Sequence, residues 1–315
     1  MLAQSTDHLP APAPKRELRY EPKWDGFRCL AFRADGGQVR LQSRQLRPLD
    51  AAFPEVVKAV AATVPPGTIL DGEIVRWHDG RLDFDALQRR NTGPRRNAEL
   101  ARREPCHLIV WDVLETGGTA LLSRPLSERR LVLAEVLADA PPAGLVVLCP
   151  QIGDVGEARL WAEVLAPQGV EGMVAKSASG AYRPGRRGWW KWKRRRTTEA
   201  IVGGITGTLA RPGALILGRM DAEGELHVVG RTVPVTAPAR ERIARLLRPP
   251  AGPHPWPPRL PVGWRGGTAE YVQVEPELVV EVEVDAAVWR HPARIVRPRP
   301  DLTIEDVARG RAIDD

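Results

Sequence analysis

The chain of 315 residues is poor in cysteine, and this scarcity excludes several classes of protein. The cysteines are odd in number and widely spaced, which argues against a disulfide framework and against a zinc site: Cys29, Cys106 and Cys149. Such usage indicates a reducing, cytoplasmic setting. No apolar run is long enough to span a bilayer, residues 1–20 lack the apolar segment of a signal peptide, and no internal repeat is evident.

Acidic residues are outnumbered by basic ones, so the formal net charge is +7 and the pI is near 9.7. A basic chain of this size favours a polyanionic partner, although solubility alone also explains such a charge. Hydrophobic residues make up 43% of the chain, which is enough for well-formed cores. The length predicts one large domain or two ordinary ones.

The pattern of predicted strands and helices changes after Arg196. Before it, strands dominate and helices intervene irregularly, which predicts an α+β domain with antiparallel sheets over residues 1–196. After it, the strands and a single helix near residues 237–247 predict a small Greek-key barrel over residues 197–315, with the OB-fold as the favoured member. The strands predicted there are 199–208, 213–221, 225–233, 269–275 and 278–289, and an exposed loop covers 249–267.

Within the first domain, apolar spacing predicts helices over 51–64, 83–90, 126–138 and 157–166. Asp83 and Ser127 are placed to cap the second and third of these helices, and Gly169 follows the fourth. The strands predicted around them are 18–23, 28–33, 39–43, 69–77, 107–114, 170–176 and 188–193.

Lys23 opens the most informative stretch, Lys-Trp-Asp-Gly-Phe-Arg. A lysine attacks a phosphorus or carbonyl centre only as the neutral amine, a form that burial and cationic neighbours favour. Asp25 lies in the same loop, Gly26 permits close backbone approach, and Arg28 supplies donors suited to phosphate or sugar oxygens. Taken alone, these residues also describe a surface turn between two strands.

Acidic residues lie at the ends of two predicted strands. Asp71 and Glu73 close one strand, and Glu171 opens another. Carboxylates in such places hold Mg²⁺ or accept ribose hydroxyls, or they are simply charges at a strand edge. Trp111 lies in an apolar strand, where its ring either stacks on a nucleobase or fills the core.

Residues 183–196 contain eight basic residues and three tryptophans, with no acidic residue. Strand alternation would place Lys191 and Lys193 on one face, where two ammonium groups form an anion site and lower the pKa of a third lysine nearby. Interleaved arginines and aromatic rings also suit a nucleic-acid backbone. A solvated run of charge is the alternative, and the tryptophans argue against it.

Taken in order, these motifs resemble those of the ATP-dependent DNA ligases, within the nucleotidyltransferases that form a lysyl-nucleotide intermediate. The resemblance runs from about Tyr20 to Val307, and the stretch around Lys23 is most similar to the small bacterial C-type enzymes. The segments that match family motifs are Lys23–Arg28 (KxDGxR), Ser43-Arg44, Leu70–Glu73 (DGE), Trp111-Asp112, Glu171–Lys176 (EGxxxK), Trp189–Lys193 (WxKxK) and Arg299–Asp301 (RPDK).

The resemblance implies a ligase that joins DNA through a covalent lysyl-AMP, and it implies a role for each motif. The catalytic residues would be Lys23, Asp25, Lys191 and Lys193. The nucleotide-binding residues would be Glu21, Arg28, Arg44, Glu73, Trp111, Lys176, Arg299 and Asp301. The ligands of Mg²⁺ or Mn²⁺ would be Asp71, Glu73 and Glu171.

The resemblance also implies partners and a setting. These are ATP as cofactor, nicked double-stranded DNA as substrate, DNA-repair polymerases or primases as partners, a monomeric state, a cytoplasmic and nucleoid-associated location, and no membrane partner. One position departs from the family pattern, since Leu302 stands where many relatives have a lysine that contacts the leaving pyrophosphate. Arg297 or Arg299 can supply that contact instead.

Two other functions stay open at this point. An RNA ligase or an RNA-capping guanylyltransferase shares the lysine chemistry, and competition between ATP and GTP for the lysine separates capping from ligation. A non-catalytic DNA-binding relative would keep the basic segment without the reaction. The intact Lys23 and its carboxylates argue against that reading, and Leu302 argues in its favour.

Overall fold

A computed structural model of the chain describes residues 1–14, 16–92, 97–141, 143–194, 196–261, 268–284, 289, 292–307 and 309. The chain divides into two compact units, Met1–Arg194 and Arg195–Asp315, whereas the sequence placed the boundary after Arg196. All three cysteines are buried and free. Among the described residues, no helix has both the length and the apolar character needed to cross a membrane.

The first unit combines strands and helices in the irregular order expected of an α+β domain. Its strands are Leu2–Thr6 (β1), Leu18–Pro22 (β2), Phe27–Arg33 (β3), Val39–Ser43 (β4), Thr68–Val75 (β5), Trp77–His78 (β6), Arg81–Leu82 (β7), His107–Thr116 (β8), Thr119–Ala120 (β9), Val146–Leu148 (β10), Gly172–Ser177 (β11) and Arg187–Lys193 (β12). Its helices are Pro54–Thr63 (α1), Phe84–Thr92 (α2), Asn97–Arg103 (α3), Leu126–Val136 (α4) and Val155–Val164 (α5).

A four-stranded sheet in the order β1-β12-β11-β2 gathers several of the motifs. Its register places Glu21, Val174 and Lys191 side by side across three strands. Because side chains two residues apart share a face of a strand, Lys176 lies on the same side as Val174. Lys23 follows β2 directly, so the sheet also sets its position.

The second sheet of this unit has the order β10-β8-β5-β3-β4, with β9 paired to β8. Alternation gives this sheet two different faces. One face packs with α1 and α4 into an apolar core, through side chains that include Leu70 and Val110. The opposite face carries Arg28 and Glu73, which are register partners, together with Trp111.

The structure corrects several local predictions. The cap predicted at Ser127 is wrong, because α4 begins at Leu126 and Pro125 is its N-cap residue. The cap at Asp83 is confirmed, since its carboxylate accepts from the Ala86 N–H at 2.9 Å. The sheets are not purely antiparallel, because the unpredicted edge strand β1 runs parallel to β12, and β10 runs parallel to β8.

The second unit is built on an antiparallel sheet in the order β15-β14-β13-β18-β19. Its elements are Arg196–Thr208 (β13), Arg211–Met220 (β14), Leu226–Arg231 (β15), Arg259–Pro261 (β16), Thr268–Glu270 (β17), Val272–Val284 (β18), Arg294–Pro298 (β19) and the helix Ala237–Leu246 (α6). An apolar core joins α6 to the sheet.

Two strands predicted in the second unit, 269–275 and 278–289, are largely one continuous strand, β18. Pro276 does not break it, because pairing with β13 lapses between Gln273 and Leu278, where no N–H is needed for the ladder. Residues 285–288 of the predicted strand and 262–267 of the predicted loop lie outside the described residues.

Candidate active site

A cavity of about 740 Å³ opens in the first unit and is lined by side chains from both of its sheets. It brings together many of the residues predicted from the motifs: Glu21, Lys23, Arg28, Arg44, Glu73, Trp111, Lys176 and Lys191. The N-terminal strand β1 lines it as well, which the sequence did not predict. Asp25 is partly exposed, and neither it nor Asp71 is part of the lining.

Lys23 is held at both its backbone and its side chain. Its N–H donates to the carbonyl oxygen of Gly172 at 2.8 Å, and its carbonyl oxygen accepts from the N–H of Glu171 at 3.1 Å. Its ammonium forms an ion pair with Glu171, whose other carboxylate oxygen lies 3.3 Å from the ammonium of Lys193. Only glycine suits position 172, because its φ is +148° and a Cβ there would collide with the backbone of Trp192.

The crowded charges around Lys23 shift the pKa values of its neighbours. Burial raises the pKa of Glu171, but the charges of Lys23 and Lys193 outweigh burial and hold that pKa below its ordinary value. Burial also lowers the pKa of Lys191, and the charges of Lys23, Lys193 and Arg44 lower it further. The site therefore holds one ionised carboxylate among several cations, and the surplus of positive charge suits an anionic ligand.

Glu73 enters the cavity from β5, and its carboxyl group is short of positive charge. Burial raises the pKa of Glu73 to about 8, and the opposing charges of Lys23 and Arg28 do not overcome this effect. A bound cation would supply the missing charge. Across the described part of the chain, no group of three His, Cys, Asp or Glu side chains is arranged to hold a metal ion.

Asp71 was predicted as a metal ligand, and the structure places it elsewhere. The guanidinium of Arg28 donates to both Asp71 carboxylate oxygens, at 3.0 and 2.7 Å, and the hydroxyl of Tyr182 donates to Asp71 Oδ2 at 2.9 Å. Asp71 is fully buried in this cluster. Since bidentate, charge-assisted bonds of this kind are strong, Asp71 orients Arg28 rather than facing the cavity.

Glu21 lines the cavity and contacts Lys176 and Gln151, two partners that were not predicted from the sequence. The ammonium of Lys176 lies 2.5 Å from Glu21 Oε2, and the amide of Gln151 donates to Oε1 at 2.8 Å. The same ammonium lies 4.2 Å from the ring centroid of Trp189 and 5.3 Å from that of Trp111. Gln151 was missed, and its sole signal in the sequence is that a polar residue follows soon after the apolar segment that forms β10.

Trp111 is 8% exposed and faces the cavity. The guanidinium of Arg28 lies 5.9 Å from its ring centroid. Asp112, the next residue, points away and forms a fully buried pair with Arg129, with distances of 2.7 and 2.8 Å. This pair anchors β8 while the indole ring remains available to a ligand.

The residues predicted from the last motif lie in the second unit. Arg299 donates to Asp301 at 3.0 Å from Nε and 2.8 Å from Nη2, and to Glu199 at 3.0 Å from Nη1. Leu302 packs against an apolar cluster that includes Trp256. An apolar side chain therefore has a packing role at this position.

Comparison with known proteins shows the family of the chain. Residues 1–193 match the family model of the ATP dependent DNA ligase domain. The chain therefore belongs to the ATP-dependent DNA ligases, and the resemblance seen in its motifs is confirmed.

Individual relatives cover nearly the whole chain. It is 35% identical to DNA ligase C2 of Mycolicibacterium smegmatis, over 96% of this chain and 90% of that protein. It is 36% identical to DNA ligase C of Mycobacterium tuberculosis, over 96% of this chain and 89% of that protein. A solved structure from a study of Lig E DNA ligases has the same fold, with a TM-score of 0.55 and 19% identity over 95% of this chain and 98% of that chain.

Proposed function

We propose that the protein seals nicks in duplex DNA with ATP, through an intermediate in which AMP is bonded to Lys23. The observation that best supports this proposal is the cavity itself. It is lined by Lys23, the cations Arg28 and Lys191, and the ring of Trp111, and it is large enough for a nucleotide.

The base of ATP is proposed to lie on Trp111, beside Glu21. These two side chains are neighbours because the ammonium of Lys176 contacts both of them. An ionised carboxylate only accepts hydrogen bonds, so Glu21 suits the exocyclic amine of adenine and not the carbonyl that guanine has at that position. This arrangement favours ATP over GTP.

The sugar and phosphates are proposed to extend towards the cations. Arg28 and Glu73 are register partners on β3 and β5, and both are proposed to contact the ribose. Lys191 and Lys193 would meet the α-phosphate, and Arg44 would contact AMP or the nick phosphate. Catalysis of phosphoryl transfer depends mainly on positioning and on such positive charge, because the transition state spreads negative charge over the phosphate oxygens.

The reaction would take three steps. The ammonium of Lys23 first gives up a proton; the neutral amine then forms a bond to the α-phosphorus of ATP, with loss of a further proton, and the bond to the departing pyrophosphate breaks. The AMP group then passes to the 5′-phosphate at the nick, which frees Lys23. Finally the adjacent 3′-hydroxyl attacks that phosphate, AMP leaves, and the strand is continuous.

Mg²⁺ or Mn²⁺ is proposed as the metal, held by Glu171 and Glu73. The donor set fits, because Mg²⁺ in nucleotide sites takes one or two carboxylates together with phosphate oxygens and waters. The raised pKa of Glu73 fits as well, since it marks a partly buried carboxyl group without enough neighbouring positive charge. A bound metal would neutralise phosphate charge during transfer.

The second unit is proposed to be an OB-fold barrel that contributes to the grip on DNA, with Arg299 and Asp301 serving the step in which pyrophosphate leaves. Its five-stranded antiparallel sheet supports this proposal. We further propose that the protein acts as a monomer in the cytoplasm, at the nucleoid, in DNA repair alongside a polymerase or primase.

The test combines two measurements on the purified full chain. Intact mass spectrometry after incubation with ATP and Mg²⁺ should show one added adenylyl group, and GTP should give none. A nicked DNA duplex with a 5′-phosphate should then be sealed, as seen on a denaturing gel. If no adenylyl group is ever added, the proposal fails, and sealing of nicked RNA alone would make the protein an RNA ligase.

A further inference from the structure

The turn between β4 and the segment that follows it is a tight hairpin loop with an unusual residue at its end. The Leu46 N–H donates to the Ser43 carbonyl oxygen at 2.9 Å, and the Ser43 N–H donates to the Arg47 carbonyl oxygen at 2.8 Å. The Arg47 N–H also donates to Ser43 Oγ at 3.1 Å. These bonds leave residues 44–46 as a three-residue loop of well-defined shape.

Leu46 is an unfavourable choice at this place for two independent reasons. Its φ is +61°, a left-handed conformation that in three-residue hairpin loops is usually adopted by glycine or asparagine. The residue is 73% exposed, the largest exposure among the large hydrophobic residues of the described chain. A bulky side chain with positive φ is strained, and strain of this kind clusters at functional sites.

The neighbours of Leu46 indicate what it contacts. Arg44, at the start of the loop, lines the cavity of the proposed nucleotide site, and Arg47 at its end is also exposed. The exposed leucine therefore lies in the same short loop as one cation that lines the cavity and directly before a second, exposed cation. A DNA duplex offers a matching surface, because its sugars and base edges lie between two strands of negatively charged phosphates.

We propose that Leu46 makes an apolar contact with the sugars and base edges of the nicked duplex, while Arg44 and Arg47 contact the flanking phosphates. This inference rests on the proposed function and adds a DNA-positioning residue outside the family motifs. The strained turn holds the leucine outward before DNA arrives, so that little conformational freedom is lost on binding.

Variants of the full chain test this contact. Leu46→Asn suits the left-handed conformation and removes the apolar surface, and Leu46→Met keeps that surface. We expect Leu46→Asn to weaken the affinity for a fluorescent nicked duplex by about tenfold, the effect of losing one buried leucine side chain, and Leu46→Met to stay within about threefold of wild type. The melting temperature of Leu46→Asn should be equal to or higher than that of wild type, because strain is relieved.

Two controls separate a DNA contact from other effects. Leu131→Asn removes another exposed leucine, 67% exposed on α4, and should leave nick affinity unchanged. Arg47→Ala should reduce the slope of log affinity against log salt by about one, whereas Leu46→Asn should leave that slope unchanged because an apolar contact releases no counterions.

The outcomes distinguish this inference from the proposed function. Equal nick affinity of Leu46→Asn and wild type, or a melting temperature of Leu46→Asn well below that of wild type, would overturn the role of Leu46 while nick sealing still supports the ligase. All of these variants should form lysyl-AMP as the wild type does, since Leu46, Arg47 and Leu131 do not line the nucleotide cavity. Wild type that forms lysyl-AMP but binds no nicked DNA would overturn both.

Discussion

Lys23 and Glu171 are bound to each other twice, by the ion pair between their side chains and by the hydrogen bond from the Glu171 N–H to the Lys23 carbonyl oxygen at 3.1 Å. The two residues lie where β2 and β11 pair in one sheet. The sheet therefore sets the position of the proposed nucleophile and of its counter-ion together, and rigid elements hold reacting groups more accurately than loops do.

The first prediction concerns the amine itself. Lys23→Arg should abolish formation of the adenylyl-protein, because a guanidinium keeps its proton and cannot attack phosphorus. Mass spectrometry after incubation with ATP measures this directly. The control is Lys58→Arg, a change at an exposed lysine on α1, which should leave the yield of adenylyl-protein unchanged. A Lys23→Arg protein that still gained the added mass would remove Lys23 as the nucleophile.

The second prediction separates the orientation of Arg28 from metal binding. Asp71→Asn should raise the KM for ATP by about tenfold, because Arg28 loses a charged, bidentate partner. The Mg²⁺ concentration that gives half-maximal adenylylation should stay the same. Glu171→Gln is the comparison and should raise that concentration. If Asp71→Asn raised the Mg²⁺ requirement as Glu171→Gln does, Asp71 would be a metal ligand after all.

The third prediction is a pH dependence of stability that comes from Glu73. Its pKa is about 8 in the folded protein against an ordinary value of 4.5, so between these values the folded state holds a proton that the unfolded state has lost. Stability contributed by this group therefore falls as the pH rises through that range. From pH 6 to pH 8 the loss is about 2 to 3 kcal/mol.

Glu73→Gln should lack this loss, since an amide does not titrate. Between pH 6 and pH 8, the melting temperature of the wild type should fall by about 5 °C or more relative to that of Glu73→Gln. Both are measured without nucleotide or metal. Glu163→Gln, a change at an exposed position of α5, serves as the matched control and should follow the wild type. Parallel melting curves for Glu73→Gln and wild type would show that Glu73 is already ionised.

The fourth prediction concerns the support of Glu21. Gln151→Ala should raise the KM for ATP by about five- to tenfold with little change in kcat, because Glu21 Oε1 loses a charge-assisted hydrogen bond and its carboxylate is less well placed. Discrimination between ATP and GTP should fall as well. Gln168→Ala, in the short helix Ala166–Gln168, is the control. Unchanged values of KM for both nucleotides would assign Gln151 a purely structural role.

Several site residues were predictable because the proposed chemistry needs particular residue types at short spacing. Lys23 and Arg28 lie close together in the chain, in one loop and the start of the next strand. Lys191 lies on a strand that the alternation of tryptophan and lysine predicts. The neighbouring Asp71 and Glu73 show the limit of such reasoning. They share one motif and one face of β5, yet Asp71 is bound by Arg28 and Tyr182, while Glu73 faces the cavity.

The sequence by itself determined the kind of chemistry, the two-part organisation and most of the strands, because residue type and period-two alternation are local properties of the chain. The tertiary structure alone decided which partner each charged group has. Gln151 meets Glu21 across 130 residues of chain, and Tyr182 meets Asp71 across 111. Such pairings depend on strand register and on which face of a sheet is covered, and both are settled only when distant segments pack together.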